Sequence, residues 1–194
     1  MLAGIQFVRG NAASFNIAPD RIGVFGHSAG GNLGALAALG GRSPLFANGY
    51  PNDSHAKEST EVKVFAGVYG VYDVAEMWGK YGVQSPKQNN IEWFLGESLP
   101  DNRKLYFDAS PISYAVTANN KVAVHLSVGT EDDLVDRKAN TDAFVLALKQ
   151  AGFFVRTTIL QGAPHYWGSE PFDEPGSYPA FLAPRLVRFL AERL

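Results

Sequence analysis

Gly26-His27-Ser28-Ala29-Gly30 is the stretch with the clearest chemical meaning in this chain. It fits G-x-S-x-G, and its setting says more than the match. The apolar run Arg21-Ile22-Gly23-Val24-Phe25 precedes it, and a small-residue helical stretch, Leu33 to Leu39, follows. A serine on such a strand-to-helix turn projects its hydroxyl away from the chain. Small residues at 26, 29 and 30 let the turn close. The next helix aims its N-terminus, and the Ala29 N–H, at the place where an oxyanion would develop. The chemistry this predicts is attack of Ser28 on a carbonyl carbon. The plainer reading, a glycine-rich turn with an incidental serine, is weakened by the two correct flanks.

A serine nucleophile needs a base, and the chain has four histidines: His27, His55, His125 and His165. His27 sits inside the turn and points away from its neighbour Ser28. His55 lies in a charged loop and reads as solvated. His125, between Val124 and Leu126, reads as a hydrogen-bonded core histidine. His165 follows the last predicted strand, at the sheet end where α/β proteins gather ligand groups. It is the candidate base. The base needs an orienting carboxylate, and Gly129-Thr130-Glu131-Asp132-Asp133-Leu134-Val135 offers three acids at the same end. Asp132 is the choice and Asp133 the runner-up, while Asp136 reads as a helix cap. The chain order Ser, Asp, His suits this type of sheet.

The elements that must hold these groups alternate. A helical pattern runs through Leu2, Ile5, Val8, Ala12 and Phe15. Strands are expected at 21–25, 62–69, 121–128 and 154–160. Short helices are expected near 73–81 and 90–97, with longer ones over 136–150 and 179–194. Leu186, Phe189 and Leu190 should face inward on the last. This alternation predicts an α/β fold, a mainly parallel sheet with helices on both faces. Residues 1–194 read as one catalytic domain with a lid or pocket insertion at about 70–120. His27, Trp78, Trp93 and Trp167 are candidate pocket residues.

Composition closes off other classes. Formal net charge is -2 without a run of like charges, so no nucleic-acid footprint is present. Without cysteine there is no disulfide framework and no thiolate metal site. No stretch of about 18 apolar residues is available to span a bilayer. The N-terminus lacks the pattern of a secretion signal. The compartment is left open, with the cytoplasm favoured.

Together these motifs resemble the α/β-hydrolase carboxylesterases and lipases, in particular the hormone-sensitive-lipase-like and related acyl-esterase branches. The resemblance rests on Phe15-Asn16-Ile17-Ala18-Pro19-Asp20-Arg21-Ile22, the Gly26 to Gly31 turn, the 129–135 loop and Pro164-His165. It spans nearly the whole chain. The family's acid loop commonly reads Gly-Thr-x-Asp-x-Leu-Val, which implies Asp132 as the acid. It also implies a serine carboxylesterase acting on short-chain esters without metal or organic cofactor. One departure stands out. Members of that family carry strands and a His-Gly-Gly loop ahead of the residue matching Leu2, and that loop supplies the rest of the oxyanion hole. Loss of one oxyanion donor typically costs about 10²–10³ in kcat. The expectation is a truncated fold whose first strand lies at a bare sheet edge, open to pairing with a second copy. A peptidase or acyltransferase on the same fold, a non-catalytic remnant, and a fragment of a longer enzyme are the alternatives.

Overall fold

The computed structural model describes residues 1–46, 49–84 and 89–194. The strands are β1 (Gly23–His27), β2 (Val64–Val68), β3 (Ala123–Gly129) and β4 (Val155–Leu160). They form one sheet in that order, and every neighbouring pair is parallel. The helices are α1 (Leu2–Gly10), α2 (Ala29–Ala35), α3 (Val74–Gln84), α4 (Asn90–Leu95), α5 (Arg103–Ala109), α6 (Ala143–Gln150) and α7 (Tyr178–Arg193).

Every residue of β2 and β3 is buried, as apolar strands covered on both faces must be. On one face Phe65, Val124 and Leu126 pack with Ala35, Leu39, Phe144 and Leu148 of the α2 and α6 layers. On the other, Phe189 of α7 closes over Val64 and Ala123, and Leu182 joins Val68 and Leu160. α1 lays Ile5 against Ile22, Ala37 and Val62. Phe189 is fully buried, while Leu186 and Leu190 are half-buried at the margins of these clusters.

β1 lies at the sheet edge. Among the described residues it pairs only with β2, and Phe25 on it is 54% exposed.

Helix ends follow local chemistry. Asp136 accepts from the Ala139 N–H, as expected of a cap, and Ser177 caps α7 through the Ala180 N–H. Gly152, at φ +80°, stops α6 and lets the Phe153 N–H return to the Leu148 carbonyl. Three expectations need correction. α1 ends at Gly10, where Asn11 caps it with φ -103° and ψ 14°, and Phe15 lies beyond it half exposed in the turn that follows. The helix after Ser28 starts at Ala29, and its last turn, Leu36–Gly40, widens to π geometry. α5 was not foreseen; Asn102 caps it through the Leu105 N–H.

Part of the 70–120 insertion builds a satellite core of its own, while Tyr72, Ile112 and Tyr114 join the main core. Val71, Val74, Met77 and Tyr106 are buried together, with Trp78, Ile91 and Leu95 against them. Buried Asn140 locks this insertion to the sheet. Its side-chain oxygen accepts from the Tyr72 and Asp73 N–H groups at 2.8 and 2.9 Å, and its amide donates to Glu76.

Candidate active site

β1 ends in a turn that only certain residues permit. Ser28 has φ +52°, a left-handed value rare outside glycine. Its N–H donates to the Val68 carbonyl at 3.0 Å, and its own carbonyl accepts from the Gly31 and Asn32 N–H groups. A Cβ at Gly26 would lie 2.2 Å from the Gly30 oxygen, so glycine is required there. The expected role of Gly30 is corrected. A Cβ on Gly30 would meet nothing within 4 Å, whereas one on Gly31 would lie 2.8 Å from the Gly70 Cα. The close helix–strand approach therefore falls on Gly31. Asn32 fixes the helix by donating to the Val71 and Ala109 carbonyls at 3.0 and 3.2 Å.

The structure brings Ser28, Asp132 and His165 together. His165 Nε2 lies 3.0 Å from Ser28 Oγ. His165 Nδ1 lies 2.9 and 2.8 Å from the two carboxylate oxygens of Asp132. The side chains of His165 and Asp132 are 2% and 1% exposed, so the pair is shielded from solvent. Asp132 Oδ1 also accepts from the Leu134 and Val135 N–H groups at 3.1 and 2.8 Å, which fixes the carboxylate. With Nδ1–H donating to Asp132, Nε2 is left as the acceptor for the serine proton.

The acid and base loops are stitched together. Thr130 N–H donates to the Leu160 carbonyl and Glu131 N–H to the Ala163 carbonyl. Gly162 N–H donates to Thr130 Oγ1. A Cβ on Gly129 would strike the Ala163 oxygen at 2.0 Å, so glycine permits the approach. Glu131 and Asp133 are exposed, and the Asp133 carbonyl accepts from Lys80.

Ala29 is exposed at the start of α2, where N–H groups have no acceptor within the helix. His27 is exposed, its ring centroid 6.0 Å from that of Tyr69. The three tryptophans, expected at a pocket, take different places. Trp167 is 2% exposed and packs edge-on against Tyr69, so it supports the site from below. Trp78 packs with Tyr106 inside the insertion and donates to Glu92. Trp93 is 69% exposed on α4. A cavity of about 390 Å³ lies at the opposite end of the sheet, beside Val62, Lys63, Lys121 and Val122.

The other histidines take structural places. His125 is buried, within reach of Thr158 Oγ1 (3.2 Å) and Ser127 Oγ (3.4 Å). Burial, helped by nearby Arg156, pushes its imidazole down to about 4, so it is neutral near pH 7. His55 corrects the expectation of a solvated side chain. It is half-buried, with Nε2 3.0 Å from Asn11 Nδ2 and its ring against Phe7.

Two residues at the site escape the sequence analysis. Tyr69, at φ +39°, ends β2 with its ring 4.5 Å from that of His165. Tyr166, at φ +64°, stands edge-on to His165 at 4.4 Å and is 60% exposed. The available signals were position alone: a strand's C-terminal end for Tyr69, and adjacency to His165 for Tyr166. No group of three or more His, Cys, Asp or Glu side chains among the described residues is arranged to hold a metal ion. Nor is any helix among them long and apolar enough to cross a membrane.

A family model described as BD-FAE matches residues 1–145. Esterase LipQ of Mycobacterium tuberculosis is 34% identical over 149 residues, which are 76% of this chain and 33% of that protein. A probable carboxylic ester hydrolase, LipM, of the same organism is 28% identical over 111 residues, 57% of this chain and 24% of that protein. The chain thus matches about a third or less of the length of these curated relatives. Among solved structures, an acetyl ester-xyloside bifunctional hydrolase from Caldicellulosiruptor lactoaceticus superposes with a TM-score of 0.75 at 22% identity. It covers 98% of this chain and 64% of that one. The esterase Est2 of Thermogutta terrifontis with propionate bound gives a TM-score of 0.71 at 21% identity, over 98% and 62%. The fold is that of the α/β-hydrolases.

Proposed function

The chain belongs to the BD-FAE family, and from that premise we propose that it is a serine carboxylesterase that works through Ser28, His165 and Asp132. The observation that carries the reading is the continuous hydrogen-bonded line from Ser28 Oγ through the imidazole to a buried carboxylate. Ser28 attacks the ester carbonyl carbon while His165 Nε2 takes its proton. Asp132 holds the Nδ1–H tautomer and stabilises the imidazolium. The Ala29 N–H donates to the tetrahedral oxyanion. Collapse expels the alcohol, which takes its proton from His165, and leaves an acyl-serine. Water deprotonated by His165 then attacks that ester, and the acid departs as Ser28 regains its proton.

The reading extends to short acyl groups. Solved neighbours include an acetyl ester hydrolase and an esterase with propionate or butyrate bound. His27 next to Ser28 in the chain and Tyr166 next to His165 are both exposed, which leaves this end of the sheet open to an ester from solvent. Turnover of p-nitrophenyl acetate and butyrate by the purified chain, beside Ser28→Ala, tests this. Turnover that falls to background in the variant upholds it; equal rates in both proteins overturn it.

A further inference from the structure

We propose that Tyr69 is a positioning residue that fixes the imidazole of His165 between Ser28 and Asp132. This rests on the esterase reading and adds a member to its machinery. The backbone argument comes first. Tyr69 is not glycine, yet it holds φ +39°. Such values are costly and persist only where the surroundings enforce them. Here the enforcement is visible. The Tyr69 N–H donates to the Ser127 carbonyl at 2.7 Å, extending the β2–β3 ladder by one residue beyond β2. The chain then turns at Gly70, which is packed against Gly31 behind the nucleophile.

The consequence is the placement of the ring. It lies 4.5 Å from the His165 ring, at an interplanar angle of 53°. Trp167 meets its other flank at 5.4 Å, nearly perpendicular. A Cβ on Gly168 would stand only 2.7 Å from the Tyr69 hydroxyl oxygen, so the loop after His165 closes directly on the phenol. Tyr69 is 3% exposed, so it does not meet substrate directly. Burial holds the phenol above its ordinary value, which keeps it a neutral wall.

Among the described residues, the hydrogen bonds to Ser28 and Asp132 also hold His165, and they change as its proton moves. On its exposed side stands Tyr166, which is open to solvent. Tyr69 is thus the buried, proton-independent surface against which the imidazole rests. Without it the ring gains freedom to swing, and a misplacement of about 1 Å costs up to 10² in rate.

Three variants and two readouts test this. Tyr69→Asn removes the ring yet tolerates the left-handed backbone. It should lower kcat about 10- to 100-fold with KM within about threefold. Tyr69→Phe keeps the ring and should stay within about threefold of the parent in kcat, since it loses only the hydroxyl on the Gly168 side. The second readout is the proton NMR signal of His165 Nδ1–H. It should persist in the parent and in Tyr69→Phe and vanish into solvent exchange in Tyr69→Asn. Should Tyr69→Asn fail to fold, Gly168→Ala takes its place by pushing the phenol from outside, with the same fall in kcat and the same loss of signal expected. A folded Tyr69→Asn with unchanged kcat and an intact Nδ1–H signal overturns the proposal. If the parent turns over esters no faster than Ser28→Ala, the esterase reading fails, and the NMR signal alone still decides whether Tyr69 holds His165.

Discussion

Asp132→Asn separates the two neighbouring acids and isolates what the carboxylate does. In the parent, both Asp132 oxygens face His165 Nδ1, and Oδ1 also accepts the Leu134 and Val135 N–H groups. An asparagine keeps its carbonyl on those two backbone donors, because reversing it would leave two N–H groups without acceptors. Its NH2 then takes the place of Oδ2, the nearer oxygen at 2.8 Å, and as a donor it favours the tautomer with Nδ1 as acceptor and the proton on Nε2. Nε2 can no longer take the serine proton. A tautomer error of this kind lowers kcat by about 10⁴ at a serine triad, equivalent to about 5.4 kcal/mol at about 1.36 kcal/mol per decade. The fold should survive, since the backbone bonds are kept. Asp133→Asn is the control: its side chain is exposed, and the contact with Lys80 runs through the main-chain carbonyl. It should leave kcat within about twofold, as exposed substitutions away from such features usually do. Initial rates on p-nitrophenyl butyrate at pH 7.5, with melting temperatures alongside, give both numbers. An Asp132→Asn rate within tenfold of the parent, or an Asp133→Asn rate that falls as far, would refute the reasoning.

Four further outcomes follow from other parts of the molecule. His125 has a folded value near 4, below the ordinary 6.5, so the unfolded chain binds its proton first. Its contribution to stability is full above pH 6.5 and is lost as pH falls towards 4; His125→Gln should flatten this part of the pH dependence of the urea midpoint, and an unchanged slope counts against it. Asn140→Leu strips the acceptor from the buried Tyr72 N–H and the part-buried Asp73 N–H at about 1–3 kcal/mol each, so unfolding by urea should show a loss of about 2–6 kcal/mol; a loss under about 1 kcal/mol contradicts the bonding described. Gly30→Ala should be neutral or stabilising by up to about 1 kcal/mol in melting experiments, while Gly26→Ala should abolish soluble expression or turnover. The reverse order would sink the account of the turn. Finally, the one-sided pairing of β1 and the exposure of Phe25 point to strand pairing between two copies at that edge; light scattering should find a dimer that Phe25→Lys disperses, and a parent that is monomeric throughout disposes of the idea.

The sequence made the repeating units legible because the strongest physical constraints act locally. β2 and β3 are continuous apolar runs because both their faces are covered. Ser28, Asp132 and His165 stood out because each follows a strand and sits among turn residues. What stayed hidden depends on contacts distant in sequence. Tyr69 looks like a strand residue until the register with Ser127 and the packing of Gly31 on Gly70 are known. Trp167, two residues from His165, suggests a pocket wall, yet the left-handed turn at Tyr166 sends it inward. Trp78 was ambiguous because an aromatic in a short helix has the same local pattern whether it lines a pocket or fills a satellite core. His55 was misread because its grip on α1 spans 44 residues of chain.

The stitched loops after β3 and β4 have a mechanical consequence. Asp132 and His165 ride on loops of neighbouring strands, tied by three hydrogen bonds and a glycine contact. Ser28 rides apart from them at the end of β1, the edge strand at the far side of the sheet from β4. The candidate site is thus assembled from two pieces, one tied within itself and the other joined to it through β2. Under the proposed function, heat or denaturant that loosens the β1 end would part Ser28 from His165 while the histidine–aspartate half stays intact, so turnover would be lost before global unfolding.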